Sequence, residues 1–151
     1  AFGTTTITKE LVAKAIAQFE RTMISGNSRF DQYLLGDQNA VTASEINGFN
    51  IFMDEERGDC FHCHGSDSNP IWADNIFHNN GLDSSFDDMG LGIVTGDPLD
   101  NGKFKSPSLR NLAYTAPYMH DGRFETLDEV INHYSEGLVY SETKSLFTFF
   151  I

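Results

Sequence analysis

The sequence predicts a mostly α-helical domain with several long ordered loops and little or no β structure. Three observations carry this. Apolar residues recur at helical spacing from Lys9 to Ile24. Capping boxes stand at Thr42-Ala43-Ser44-Glu45 and Thr126-Leu127-Asp128-Glu129. Alternating Val/Ile-rich runs, the mark of half-buried strands, are missing. At 151 residues the chain has the length of one domain, residues 1–151.

Taken in order, Thr4 to Ile7 is a β-branched lead and Thr8 an N-cap. The helix that follows sets Leu11, Val12, Ala15, Ile16, Phe19 and Met23 on one face, read as a stripe for the core. Ser25-Gly26-Asn27-Ser28 stops it, and Phe30 to Leu35 reads as one or two more turns. Thr42 opens a second helix that carries Ile46, Phe49, Phe52 and Met53 inward and ends near Arg57-Gly58. From Gly65 to Lys105 regular structure is hard to find. Ile71, Trp72, Ile76, Phe77, Leu82, Phe86 and Leu91 nevertheless make this an ordered loop rather than a disordered one. Pro107 is placed to start a short helix at Ser106–Asn111. Ala116 to Gly122 is a compact turn, and the Thr126 box begins a helix that ends near Gly137. Beyond Ser141 comes an apolar tail, Leu146-Phe147-Thr148-Phe149-Phe150-Ile151.

The second helix delivers the chain into Cys60-Phe61-His62-Cys63-His64. On a helical turn Cys60, Cys63 and His64 fall at i, i+3 and i+4, on one face. That face offers two thiols to a flat macrocycle and an imidazole to its iron, the arrangement of covalent c-type haem with His64 as proximal ligand. Three other readings stay open. A zinc site needs about four ligands, yet these are the only two cysteines, and His62, His78, His120 and His133 are scattered. A redox pair wants a βαβ setting, which is not readable. A short disulfide leaves His64 unexplained.

Composition narrows the partners. The net charge of −12 argues against nucleic acid and anionic membrane surfaces, and it suits a basic electron carrier. Mean hydropathy is −0.31, and no apolar run approaches the roughly 20 residues of a membrane span. The 13 phenylalanines suit a fold that wraps a large flat cofactor, though they would equally suit an ordinary helical core. Thioether attachment of haem occurs outside the bacterial cytoplasm, so a periplasmic location is expected. The chain opens on Ala1-Phe2-Gly3 without a signal peptide, as a processed protein or a piece of a longer one would.

Four segments carry a family resemblance: AIAQFERTMISGNSRFDQYL from Ala15, the Cys60–His64 motif, DNIFHNNGL from Asp74, and above all FKSPSLRNLAYTAPYMHDGRFETLDEVINHY from Phe104 to Tyr134. On these the chain resembles the second haem domain of the bacterial di-haem cytochrome c peroxidases, a family that includes MauG-type enzymes. The resemblance implies a cytochrome c-like helical fold around one covalent haem, with the first, peroxide-reacting haem domain absent from this chain. It places the distal iron ligand on the helix after the His120-Asp121-Gly122 turn, at Tyr134. Met119 is the rival on chemistry alone, because a thioether raises the haem potential whereas a phenolate stabilises ferric iron.

Softer roles follow. Lys105 and Arg110 are candidates to pair with haem propionates. Trp72, Phe77 and His78 are expected to line the haem from the long loop, and His120 to hydrogen-bond near its distal side. Calcium, which the family holds between its domains through carbonyls matching Thr115 and Pro117, is not expected here. The function so implied is an electron-transfer domain serving hydrogen peroxide reduction, fed by a small cytochrome c or cupredoxin. Two alternatives remain: a stand-alone mono-haem carrier, or a mono-haem peroxidase. The last would need a general base, for which His120 and Glu125 are the nearest candidates.

Overall fold

The computed structural model describes residues 2–146, which leaves most of the apolar tail outside the described part. Its elements are α1 (Lys9–Glu20), α2 (Arg29–Leu34), α3 (Ala43–Phe52), α4 (Phe61–His64), β1 (Phe77–His78), α5 (Leu91–Thr95), β2 (Phe104–Lys105) and α6 (Leu127–Asn132). Single 3₁₀ turns at Pro98–Asp100 and Leu112–Tyr114 join them, and α6 widens into a π-helical turn at His133–Gly137. The architecture is mostly helical, with one small antiparallel sheet that pairs Phe77 with Lys105 and His78 with Phe104.

The helix starts follow the local chemistry. Thr8 caps α1 by accepting from the Leu11 N–H at 3.3 Å. Thr42 and Thr126 form the capping boxes that the sequence predicts. A third box, Ser28 with Asp31, opens α2 where only a stop signal was read. The ends differ more. α1 finishes at Glu20 rather than near Ile24, and its apolar stripe does not enter the core: Val12, Ile16 and Phe19 are 47%, 52% and 66% exposed. Leu11 and Ala17 alone on that helix are half-buried. Periodicity fixed the helix, but nothing in the described residues covers its face.

Ser106–Asn111 does not form the expected helix. The Ser106 hydroxyl donates to the Cys63 carbonyl at 2.8 Å, and the Ser108 hydroxyl donates to the Ile71 carbonyl. These bonds tie the run to the α4 turn and the long loop, and Asn111 then turns left-handed at φ 61°. The long loop itself is ordered, as expected, and holds both strands and α5. Several of its apolar residues are open, however: Ile71, Ile76 and Phe77 are 44%, 58% and 39% exposed.

The core that positions the motif is an aromatic cluster. Trp72 lies edge-on to Phe30, Phe49 and Phe52, with ring centroids 5.6, 6.2 and 6.0 Å away. It joins α2 and α3 to the segment after α4, and Ala73 beside it is almost wholly buried. Trp72 also sits at φ 53°, a conformation a bulky residue adopts only when its surroundings dictate it. Gly58 completes the approach to the motif. A Cβ there would stand 2.2 Å from the Ile51 carbonyl oxygen, so only glycine lets the chain fold back on α3.

Candidate haem site

Cys60 caps α4, and the His64 N–H reaches the Cys60 carbonyl at 3.0 Å, so Cys60, Cys63 and His64 do share one turn. Gly65, at φ 74°, ends that turn at once. Both thiols are free. Burial pushes each up to about 11, aided at Cys60 by the Asp59 carboxylate and at Cys63 by Asp74. Burial moves His64 the other way, which favours the neutral imidazole a metal needs; hydrogen bonding with the backbone of Trp72 and Pro107 works against it.

The surrounding loop clamps this turn. The Cys63 carbonyl accepts from both the Asp74 N–H at 3.0 Å and the Ser106 hydroxyl. Ser106 is buried, and its oxygen lies 3.4 Å from His64 Nδ1, the ring nitrogen that would face away from a metal bound at Nε2. His62 pairs with Asp59, and His78 with Asp74. The Asp74–His78 pair thus buttresses the turn from the long loop, a role distinct from the lining contact expected of His78.

Tyr134 and Met119, the two candidate distal ligands, are brought together. Asn80 Nδ2 lies 3.4 Å from the Tyr134 hydroxyl and 3.3 Å from Met119 Sδ. Burial pushes the Tyr134 hydroxyl above the ordinary phenol range; the Asn80 bond opposes this, while the nearby Cys63 and Cys60 add to it. Tyr134 lies within the π-helical turn, a rare form that is frequent at functional sites.

The remaining candidates have partners of their own or lie exposed. Arg110, expected to meet acidic groups of a cofactor, closes on Asp31 with bonds of 3.0 and 2.9 Å and donates its Nε–H to the Pro70 carbonyl. Lys105 is exposed on β2. Trp72 spends its ring on the aromatic cluster. His120 is exposed and stacked on Phe104, centroids 3.7 Å apart, at a cleft of about 310 Å³ that Asn80 and Arg123 also line. Glu125 is exposed, and its backbone N–H donates to Glu129. Sequence reasoning missed Asn80, Ser106 and Asp31. Each is a small polar residue with a partner far away in the chain; only Asp31 carries a local signal, the Ser28-x-x-Asp31 capping box.

The donor set fits a c-type haem. Two thiols and an imidazole share one turn, and a phenol and a thioether meet at Asn80. Among the described residues no three His, Cys, Asp or Glu side chains group to hold a bare metal ion, which leaves the zinc reading without ligands.

Comparison with known proteins agrees. A family model described as di-haem cytochrome c peroxidase matches residues 1–39. The methylamine utilization protein MauG of Methylophilus methylotrophus is 36% identical over 147 residues, which is 96% of this chain and 42% of that protein. The cytochrome c551 peroxidase of Nitrosomonas europaea is 34% identical over 134 residues, 86% of this chain and 38% of that one. A solved MauG-like protein associated with microbial copper homeostasis superposes with a TM-score of 0.76 at 36% identity, covering 99% of this chain and 54% of that one. The chain therefore spans less than half the length of these curated relatives.

Proposed function

The chain belongs to the di-haem cytochrome c peroxidase and MauG family, whose cofactor is haem c, and we propose that it is the electron-transfer haem domain of such a protein. Cys60 and Cys63 would carry one haem through thioethers, His64 would be its proximal ligand and Tyr134 its distal one. The bound haem would supply one-electron ferric–ferrous chemistry.

The observation that supports this reading is that two thiols and an imidazole share the Cys60–His64 turn, while a phenol and a thioether, Tyr134 and Met119, meet at Asn80. Iron held by both His64 and Tyr134 would have its positions filled, which favours passing electrons over binding peroxide. The chain's own residues then hold and tune the group. Ser106 orients the imidazole, the Asp74–His78 pair braces the turn, and the Trp72 cluster fixes its place. The domain would work in the periplasm, taking electrons from a small basic redox protein for hydrogen peroxide reduction at another haem; the acidic net charge supports such a partner.

His120 is stacked on Phe104, and Glu125 lies exposed. The test is to mix the haem-loaded protein with peroxide and a reduced donor and follow turnover. A reversible one-electron, six-coordinate haem without turnover supports the electron-transfer domain. Rapid turnover would replace it with the mono-haem peroxidase. A second C-x-x-C-H upstream in the encoding gene distinguishes the domain from a stand-alone carrier.

A further inference from the structure

One amide lies between both distal candidates. Asn80 Nδ2 carries two hydrogens, and it has two acceptors in range, Met119 Sδ at 3.3 Å and the Tyr134 hydroxyl oxygen at 3.4 Å. The backbone around it is pinned. The buried Asn79 side chain donates to Ser141 at 3.0 Å and to Thr143 at 2.8 Å, and it accepts from the Gly81 N–H at 3.0 Å. The Asn80 carbonyl lies 3.1 Å from His133 Nε2, on the residue next to Tyr134, and the Gly81 carbonyl accepts from the Val139 N–H at 2.8 Å. Met119 is held as well: it sits at φ 71°, at the tip of a turn closed by the Tyr118–Phe124 bridge. The amide is thus fixed between two donor atoms that are themselves fixed.

We propose that Asn80 selects the distal haem ligand, engaging the Met119 thioether with one N–H and orienting the Tyr134 oxygen with the other. This rests on Tyr134 being the distal ligand. An N–H held against the thioether takes one of the two sulfur lone pairs, weakens the other as a donor and tethers the sulfur at Asn80. An N–H to the phenolic oxygen fixes where that oxygen stands and leaves it a lone pair for iron. Asn80 is therefore a positioning residue: it touches the ligands and sets which of them the iron takes.

The test compares ferric spectra and midpoint potentials of the haem-loaded wild type, Asn80→Leu, Asn80→Ser, Met119→Leu and Asn80→Leu/Met119→Leu. Leu keeps much of the shape of Asn without its donors; Ser is too short to reach either atom and guards against misfolding of the Leu variant. The wild type and Met119→Leu are expected to lack a near-infrared sulfur-to-iron band. Both Asn80 variants are expected to gain it in part of the population, with a raised potential in that fraction. The double variant is expected to lose it again. Asn80 variants that match the wild type would overturn the proposal while leaving the Tyr134 reading intact. Mixed spectra that persist in the double variant would also overturn it, since release of Met119 would then not be their cause. A sulfur band already present in the wild type and lost in Met119→Leu would overturn the Tyr134 reading itself.

Discussion

Arg110 and Asp31, 79 residues apart in sequence, meet through two near-parallel hydrogen bonds of 3.0 and 2.9 Å. The pair ties the loop after β2 to the start of α2, where Asp31 also closes the Ser28 capping box. It thereby links the two halves of the chain beside the aromatic cluster.

Asp31→Asn is expected to destabilise the folded protein by about 1.5–3 kcal/mol, the range for hydrogen bonds to charged groups. Arg110 holds the Asp31 carboxyl well below the usual carboxylate range. Its contribution is therefore complete above the unfolded value of about 3.9 and is lost as pH falls through the depressed folded value. Denaturant titrations run from pH 6 down to about pH 2 check this. The difference between wild type and Asp31→Asn should be constant above about pH 5 and shrink progressively below it.

Ser106→Ala removes the donor to the Cys63 carbonyl and an acceptor beside His64 Nδ1. A stability loss of about 1 kcal/mol is expected. An imidazole whose outer N–H loses an acceptor is a weaker base and stabilises ferric iron less. The midpoint potential of the haem-loaded protein should accordingly rise. A melting temperature that falls while the potential stays put would assign Ser106 to scaffolding alone.

Trp72→Ala takes an indole out of contact with Phe30, Phe49 and Phe52. Truncations of this kind cost about 3–5 kcal/mol. Chemical denaturation of the haem-loaded protein measures the loss, and a change below about 1 kcal/mol would show that the cluster does not anchor the motif.

Tyr134→Phe is expected to remove the sixth ligand and turn the ferric spectrum from six-coordinate to five-coordinate or water-bound. Met119→Leu should leave it unchanged. The reverse pattern would move the distal ligand to Met119.

Much of this was legible in the sequence. The capping boxes, the helical periods of α1 and α3 and the C-x-x-C-H turn are local signals, and local chemistry decides them. What escaped depends on distant partners. The α1 stripe looked like core because periodicity reports an apolar face but not what covers it. Pro107 looked like a helix start because the pull of Cys63 and Ile71 on Ser106 and Ser108 spans tens of residues. Arg110 was read as a cofactor contact because Asp31 lies on another element. The meeting of Tyr134 with Met119 at Asn80 needed a π-helical turn, a left-handed Met119 and a pinned loop, none of which has a sequence period.

The central claim is that Cys60, Cys63 and His64 carry one covalent haem. The most direct measurement is the intact mass of the protein produced alongside a haem c maturation system, read together with its reduced pyridine haem spectrum. The expected result is a polypeptide heavier by one haem that survives acid–acetone extraction, and a bare polypeptide mass in Cys60→Ala/Cys63→Ala. A wild-type mass equal to the polypeptide alone, or a haem that extracts freely, would contradict it.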